Sequence, residues 1–369
     1  MAYQSVGTPR FYINCIEWMH SLGQISDNGS FNINKYFTTS ATNAEHTVLE
    51  DGTNDLMSMP RFGSVSYNKV MGSQSFIAIL GHNLNSSDCE LLFQEGHPHY
   101  SAIDYPGNEV NCGTATSGSN SMRPDYDGFS ITTCDIAHWD QTSDHNHIRF
   151  ESGEWGASDD YPYGNLGGVI IGAIILGTYY DLPHSPDLNL TMTREYGGIK
   201  TIETKGGASL SNDFGSKPPA WGSKAAWELG DEYSPSLSRS GRKIWDLSFS
   251  YLDQRDVWGA NESLGNLSTD AAGVYTPHLS TIGADPNDYD TSDVVAYEGN
   301  YAFNYNLLTA PSFYSQVIHK TNGGQLPFIF QPDVNDNTQF AICKLDSGFK
   351  FTQVANGVYN VKLKIREVW

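Results

Sequence analysis

Apolar and polar positions alternate with a period of two along much of this 369-residue chain, the pattern of strands that bury one face. The clearest case closes the sequence. Residues 349–355 and 358–369, ending at Trp369, alternate on either side of Asn356-Gly357, the pair favoured in a type I′ hairpin turn. In the second run Val361, Leu363 and Ile365 fall on one face, and Asn360, Lys362, Lys364 and Arg366 on the other. Residues 244–251 alternate in the same way, with Trp245, Leu247, Phe249 and Tyr251 opposed to Asp246, Ser248 and Ser250. Residues 188–195 and 199–205 flank Gly197-Gly198, which predicts another hairpin. Further strands are predicted over 75–80, 90–94, 131–136, 145–150 and 326–333, the last held between Pro327 and Pro332. Helical spacing is rare. Phe11, Cys15, Trp18, Met19 and Leu22 predict a helix over 9–22 stopped by Gly23, with a strand as the competing reading. A short helix is also predicted over 312–321, entered after Pro311 and stopped by Asn322-Gly323-Gly324.

The spaces between these elements are polar. Residues 29–60 are weakly patterned, and 98–128, rich in Gly, Ser, Asn and Asp, form a long loop. The longest apolar run, Gly167-Gly-Val-Ile-Ile-Gly-Ala-Ile-Ile-Leu-Gly177, is about half the ~20 residues that a membrane-spanning helix needs, so a buried strand is expected and membrane insertion is not. Composition shifts at 159–165, just before that run. The length favours two cores, and a boundary at residue 166 divides the chain into 1–166 and 167–369. The content of 36 Gly, 21 Tyr and 17 Phe, with 17% charged residues, departs from a helical protein. The fold class expected is all-β, with two β-sandwich or β-barrel-like domains and a few short helices. No fixed-period repeat supports a propeller or solenoid.

Charge and cysteines narrow the partners. The net charge of −21 repels phosphate backbones, so nucleic acid is not an expected partner. Cys15, Cys89, Cys112, Cys134 and Cys343 are odd in number and too widely spaced for a C-x-x-C motif, so free thiols are expected. Residues 1–10 carry no basic region leading into an apolar core, and no secretory signal is expected.

Catalytic motifs were sought and not found: there is no G-x-S-x-G, no G-x-x-x-x-G-K-[ST], no H-E-x-x-H and no G-x-G-x-x-G after a strand. The protein is expected to be no enzyme and to carry no cofactor. The polar cluster 138–147 holds the histidine-containing metal candidates. His145 and His147 would share a strand face, and Asp140 or Asp144 could close around a divalent ion, against the reading of a solvated surface loop, which His97 and His99 share. The acidic stretch 285–293 invites a calcium reading, because clustered carboxylates supply hard oxygen ligands, against its lack of the D-x-D-x-D-G spacing with a closing glutamate. Glu151, Glu154, Asp159 and Asp160 contain enough carboxyls for a glycosidase pair, but their separation is not legible in sequence. Trp155, Tyr161 and Tyr163 are candidate glycan contacts, with core or interface packing as the plainer role.

Three segments resemble minor tail and distal-tail-like proteins of tailed bacteriophages: Phe76-Ile-Ala-Ile-Leu-Gly-His-Asn-Leu-Asn-Ser-Ser87; the 244–252 strand with Ser240-Gly-Arg-Lys243; and Leu326-Pro-Phe-Ile-Phe-Gln-Pro-Asp333 with Ile365-Arg-Glu-Val-Trp369. The resemblance implies a galactose-binding-like jelly roll over 1–166, whose turn contains His82 and Asn83 in structural roles, and a distal-tail-like β-domain over 167–369. It implies a virion protein made in the host cytoplasm, at the tail tip, baseplate or distal tail ring. Such a protein contacts copies of itself in a hexameric or trimeric ring, and other tail proteins. A receptor- or glycan-binding module and a capsid decoration protein are the alternative readings. The long insertion at 98–128 and the acidic loop at 285–293 depart from that pattern.

Overall fold

The structure is a computed structural model and describes residues 6–26, 47–49, 56–58, 61–62, 70–71, 74–85, 89–95, 121–122, 127–134, 146–152, 169–171, 173–196, 200–211, 241–258, 311–346 and 349–368. Strands account for 51% of them and the helices are few and short, so the protein is all-β. In chain order the strands are β1 Arg10–Asn14, β2 Ile25–Ser26, β3 Thr47–Leu49, β4 Leu56–Ser58, β5 Arg61–Phe62, β6 Ser75–His82, β7 Cys89–Glu95, β8 Ser121–Met122, β9 Gly128–Cys134 and β10 Asn146–Ser152. They continue with β11 Val169–Ile171, β12 Ala173–Asp181, β13 Thr191–Glu195, β14 Thr201–Glu203, β15 Ser209–Ser211, β16 Arg242–Asp253, β17 Phe328–Gln331, β18 Ala341–Leu345, β19 Lys350–Ala355 and β20 Val358–Glu367. No helix among the described residues is long and apolar enough to cross a membrane.

One ten-stranded antiparallel sheet dominates, ordered β13-β16-β20-β18-β17-β1-β12-β6-β9, with β19 pairing β20 as well. Strand β1 lies near its middle, pairing β12 on one side and β17 on the other. Strands from both sides of residue 166 therefore share one ladder, and the described strands do not divide there into a 1–166 unit and a 167–369 unit. The reason is burial. Phe11 and Ile13 enter one apolar cluster while Tyr12 enters another on the opposite face, and Phe328 and Phe330 alternate with Ile329 in the same way. A strand buried on both faces reads as a continuous apolar run, which names no partner strand. Smaller sheets pair β4-β10-β7-β8, β3 with β11, β14 with β15, and β2 with β5.

The expected helix over 9–22 is a strand followed by a helix. Asn14 ends β1 and caps α1 (Cys15–Ser21), its side chain accepting the Glu17 N–H at 3.2 Å. The helical spacing is met only by the inward residues of this helix, and Leu22, past its end, is 48% exposed. The 312–321 expectation is met by a π-helical segment Tyr314–Ile318 running into a 3-10 turn His319–Thr321, which Asn322 ends in the left-handed region. Phe313, Val317 and Ile318 cap the larger apolar cluster. A four-residue helix α2 (Gln254–Val257) follows β16.

Two hairpin expectations change. Strand β13 pairs with β16, from Thr191↔Asp246 to Glu195↔Arg242, so it joins the sheet edge instead of folding onto residues 199–205. Strand β14 pairs with β15 across a turn in which Gly207 (φ 80°) donates its N–H to the Thr204 carbonyl at 2.9 Å. The final hairpin forms as expected, but only Gly357 takes positive φ (69°), so the turn is not type I′. The expected strand over 244–251 also slips. A bulge between Phe249 and Leu252 places Tyr251 at φ 63° and 81% exposed, and Leu252 takes the inward position instead. Cys15, Cys134 and Cys343 are buried free thiols.

Candidate functional site

The outward face of β16, β20 and β19 carries a groove of about 340 Å³. Asn189, Asp246, Ser248, Lys350, Lys362 and Lys364 line it, with Leu247 and Leu363, which belong to the larger core cluster. Strand register explains the grouping. Lys362 lies opposite Ser248 on β16 and opposite Lys350 on β19, and Lys364 lies opposite Asp246. Residues opposite one another on paired strands share a face, so two lysines stand side by side at a position where like charges destabilise a sheet by a few tenths of a kcal/mol to ~1 kcal/mol.

Several neighbouring charges are engaged, while Asp246 in the groove has no ion-pair partner among the described residues. Asp346 takes Lys364 Nζ at 3.4 Å and Arg366 Nη2 at 3.2 Å, and Glu195 takes Arg366 Nη1 at 3.0 Å. Ser248 Oγ hydrogen-bonds to Asp187 Oδ2 at 3.0 Å and Asn189 Oδ1 at 2.8 Å, and Ser250 Oγ donates to Asp187 Oδ2 at 2.9 Å. Among the described residues, the side-chain ammonium groups of Lys350 and Lys362 have no ion-pair or hydrogen-bond partner. The groove can therefore accept anionic oxygens.

The buried polar groups serve the frame. Lys320 is 1% exposed and donates to the Val70 carbonyl and to Gln316 Oε1, both at 2.7 Å, while burial pushes its amine below the ordinary value. Arg10 grips Asp181 through Nη2 at 2.7 Å and lies over the Tyr179 ring at 4.2 Å, joining the ends of β1 and β12. His82 closes the turn after β6. The Leu84 N–H donates to Nδ1 at 3.3 Å, which leaves the proton on Nε2, facing Ser130 Oγ at 2.8 Å. These two contacts tie the turn to β9.

That arrangement predicts a pH dependence. Burial lowers His82 to about 4, below its ordinary 6.5, with Asp127 acting weakly in the other direction. The unfolded chain thus binds the extra proton between pH 6.5 and 4; the contribution is complete above 6.5 and is lost as pH falls through about 4. Two and a half units correspond to roughly 3 kcal/mol. Glu17 has the opposite sign. Burial raises its carboxyl to about 7 against the pull of Lys344, so its contribution is complete below 4.5 and is lost as pH rises through 7. Urea midpoints from pH 4 to 8 for the wild type and His82→Gln, which share Glu17, should differ by a curve that changes only in the window from 6.5 to 4. A flat difference would remove the structural role of a neutral His82.

The residues singled out in the sequence fall elsewhere. Asp140, Asp144, His145, Trp155, Tyr161 and Tyr163 lie outside the described residues, as do His97, His99 and 285–293. His147 belongs to β10, opposite Gln94 of β7 and Ser58 of β4. Glu151 is also in β10, opposite Glu90, while Glu154, Asp159 and Asp160 lie outside. Among the described residues no three His, Cys, Asp or Glu side chains group as metal ligands. Sequence reasoning placed Lys362 and Lys364 on the outward face but missed Lys350, Asn189 and their meeting with Ser248. Comparison of the chain with protein-family models, with curated proteins and with solved structures returned no match.

Proposed function

We propose that this chain is a non-catalytic structural component of a tailed-bacteriophage virion, at the tail tip, baseplate or distal tail ring. It associates with copies of itself and with other tail proteins. The observation that carries the self-association is a set of exposed apolar side chains at edge strand β13 and on the β14–β15 ribbon. Leu188 (83% exposed) and Met192 (55%) flank and occupy edge strand β13, and Ile202 (66%) faces Leu210 (58%) across the β14–β15 ribbon. A two-stranded ribbon is marginal in water alone, and apolar pairs presented on it gain by being covered in an assembly. An edge strand supports the same reading, because its outer backbone groups can pair with another chain.

The phage assignment rests on the three resembling segments, each of which contributes a strand to the ten-stranded sheet: residues 76–82 to β6, 244–252 to β16, and the 328–331 and 365–367 parts of the third to β17 and β20. Imaging of particles from the source of this sequence, with density assigned to the chain, tests it. Copies arranged around the tail axis are expected. Absence of the chain from the particle would remove the reading, and turnover of a surface polysaccharide by the purified protein would remove its non-catalytic part.

A further inference from the structure

We infer that the lysine groove is the receiving half of a head-to-tail contact, and that it takes carboxylates from a second copy of this chain. The inference deepens the self-association proposed above and rests on it. Three independent observations converge on this face. The first is the unmatched pair, Lys350 opposite Lys362, in a groove of about 340 Å³. An anionic group between the two ammonium groups would relieve their repulsion, and such charge-assisted bonds are stronger than neutral ones.

The second is charge distribution. The whole chain carries −21, yet residues 341–369 hold five basic side chains against two acidic ones. Both of those carboxylates are already occupied, Asp346 by Lys364 and Arg366, and Glu367 by the Lys243 N–H at 2.8 Å. The groove lining itself holds Lys350, Lys362 and Lys364 against Asp246, and such an excess of cations on a strongly anionic protein is complementary to the rest of the same protein.

The third is Tyr251. Its backbone sits at φ 63°, a conformation unfavourable for a bulky L-residue, and the ring is 81% exposed. Its N–H donates to Asn360 Oδ1 at 3.2 Å, two residues before Lys362 and on the same face of β20. The bulge thus leaves an aromatic ring exposed on a residue bonded to the lysine strand β20, and tyrosine is among the residues that anchor interfaces.

A contact centred on the lysine pair is not a symmetric one. A two-fold axis through the Lys350–Lys362 pair would set lysine against lysine, so in this inference the pair meets a different, acidic part of the neighbour. Such heterologous contacts close into rings or extend into filaments.

Analytical ultracentrifugation of the full chain over a concentration series, at about 0.05 and 0.5 M salt, tests this. The wild type should associate beyond a dimer and do so more weakly at the higher salt. Lys350→Glu with Lys362→Glu should weaken association at least tenfold with an unchanged circular dichroism spectrum, and Lys350→Arg with Lys362→Arg should retain it. If the glutamate pair does not fold, Lys350→Gln with Lys362→Gln replaces it with the same expectation. Tyr251→Gly, which relieves the backbone, should raise thermal stability while weakening association. A wild type that stays monomeric at every concentration overturns self-association and this inference together. Association that is unchanged in the lysine variants, or a closed symmetric dimer, overturns this inference alone.

Discussion

Gly177→Ala should lower the stability of the protein by roughly 4 kcal/mol, or prevent it from folding, which places it among the rare severe single substitutions. Gly177 is buried in β12, opposite Asn14 of β1 and Phe76 of β6. A Cβ built there would overlap the Ile13 carbonyl oxygen and come within 2.8 Å of the Cys15 nitrogen. Both are backbone atoms, at the point where β1 ends and α1 begins, so no rotamer change can make room. The added methyl can be accommodated only by prying β1 from β12 in the middle of the sheet. Gly23 is the control. It has φ 66° and no atom within 4 Å of a built Cβ, so Gly23→Ala carries only the left-handed backbone penalty, about 1 kcal/mol. Urea denaturation followed by near-ultraviolet circular dichroism checks both. A Gly177→Ala midpoint close to that of Gly23→Ala would mean that β1 and β12 are not packed at this distance.

The close approach at Gly177 was visible in the sequence only as a glycine ending an apolar run. Single strands were legible where one face is wet: Val361, Leu363 and Ile365 are buried as the alternation required, and Lys362 is exposed. Partners were not legible where both faces are dry. Nothing in Arg10-Phe-Tyr-Ile-Asn14 says that it joins residues 173–181 to 328–331, because a doubly buried strand carries no polar phase. The groove lay between these cases. With a plain two-residue turn at Asn356-Gly357, Ala355 pairs Val358 and Lys350 would fall opposite the inward Leu363. The slip between Gln353 and Ala355 moves Lys350 opposite Lys362 instead. The signal for that slip was present in the sequence. Without it, apolar Phe351 would oppose outward Lys362, so the two phases could agree only through a bulge. The bulge at Tyr251 had no such signal, since a tyrosine fits the inward phase as well as the leucine that takes its place.

Phe11→Ala is expected to cost about 3–5 kcal/mol, in the range of buried phenylalanines truncated in well-packed cores. Phe11 has no exposed surface, and its ring centroid lies 5.5 Å from that of Phe313, 5.5 Å from Phe328 and 5.3 Å from Phe330. Its strand is the link between the parts of the chain before and after residue 166, since β1 pairs β12 and β17 at once. The informative quantity is how the loss is distributed. In a continuous sheet the wild type unfolds in one transition, and Phe11→Ala shifts that transition as a whole. Amide exchange in β6 and in β20, on opposite sides of β1, then accelerates together, because both are protected by the same global unfolding. Two independent sandwiches divided at residue 166 would instead give two transitions, with exchange in one strand accelerated and in the other unchanged. Urea unfolding followed by tryptophan fluorescence reads the first comparison, since Trp245 packs 5.3 Å from Phe330 in the cluster that Phe11 fills. Native-state exchange reads the second, and separate responses in β6 and β20 would restore the two-domain division.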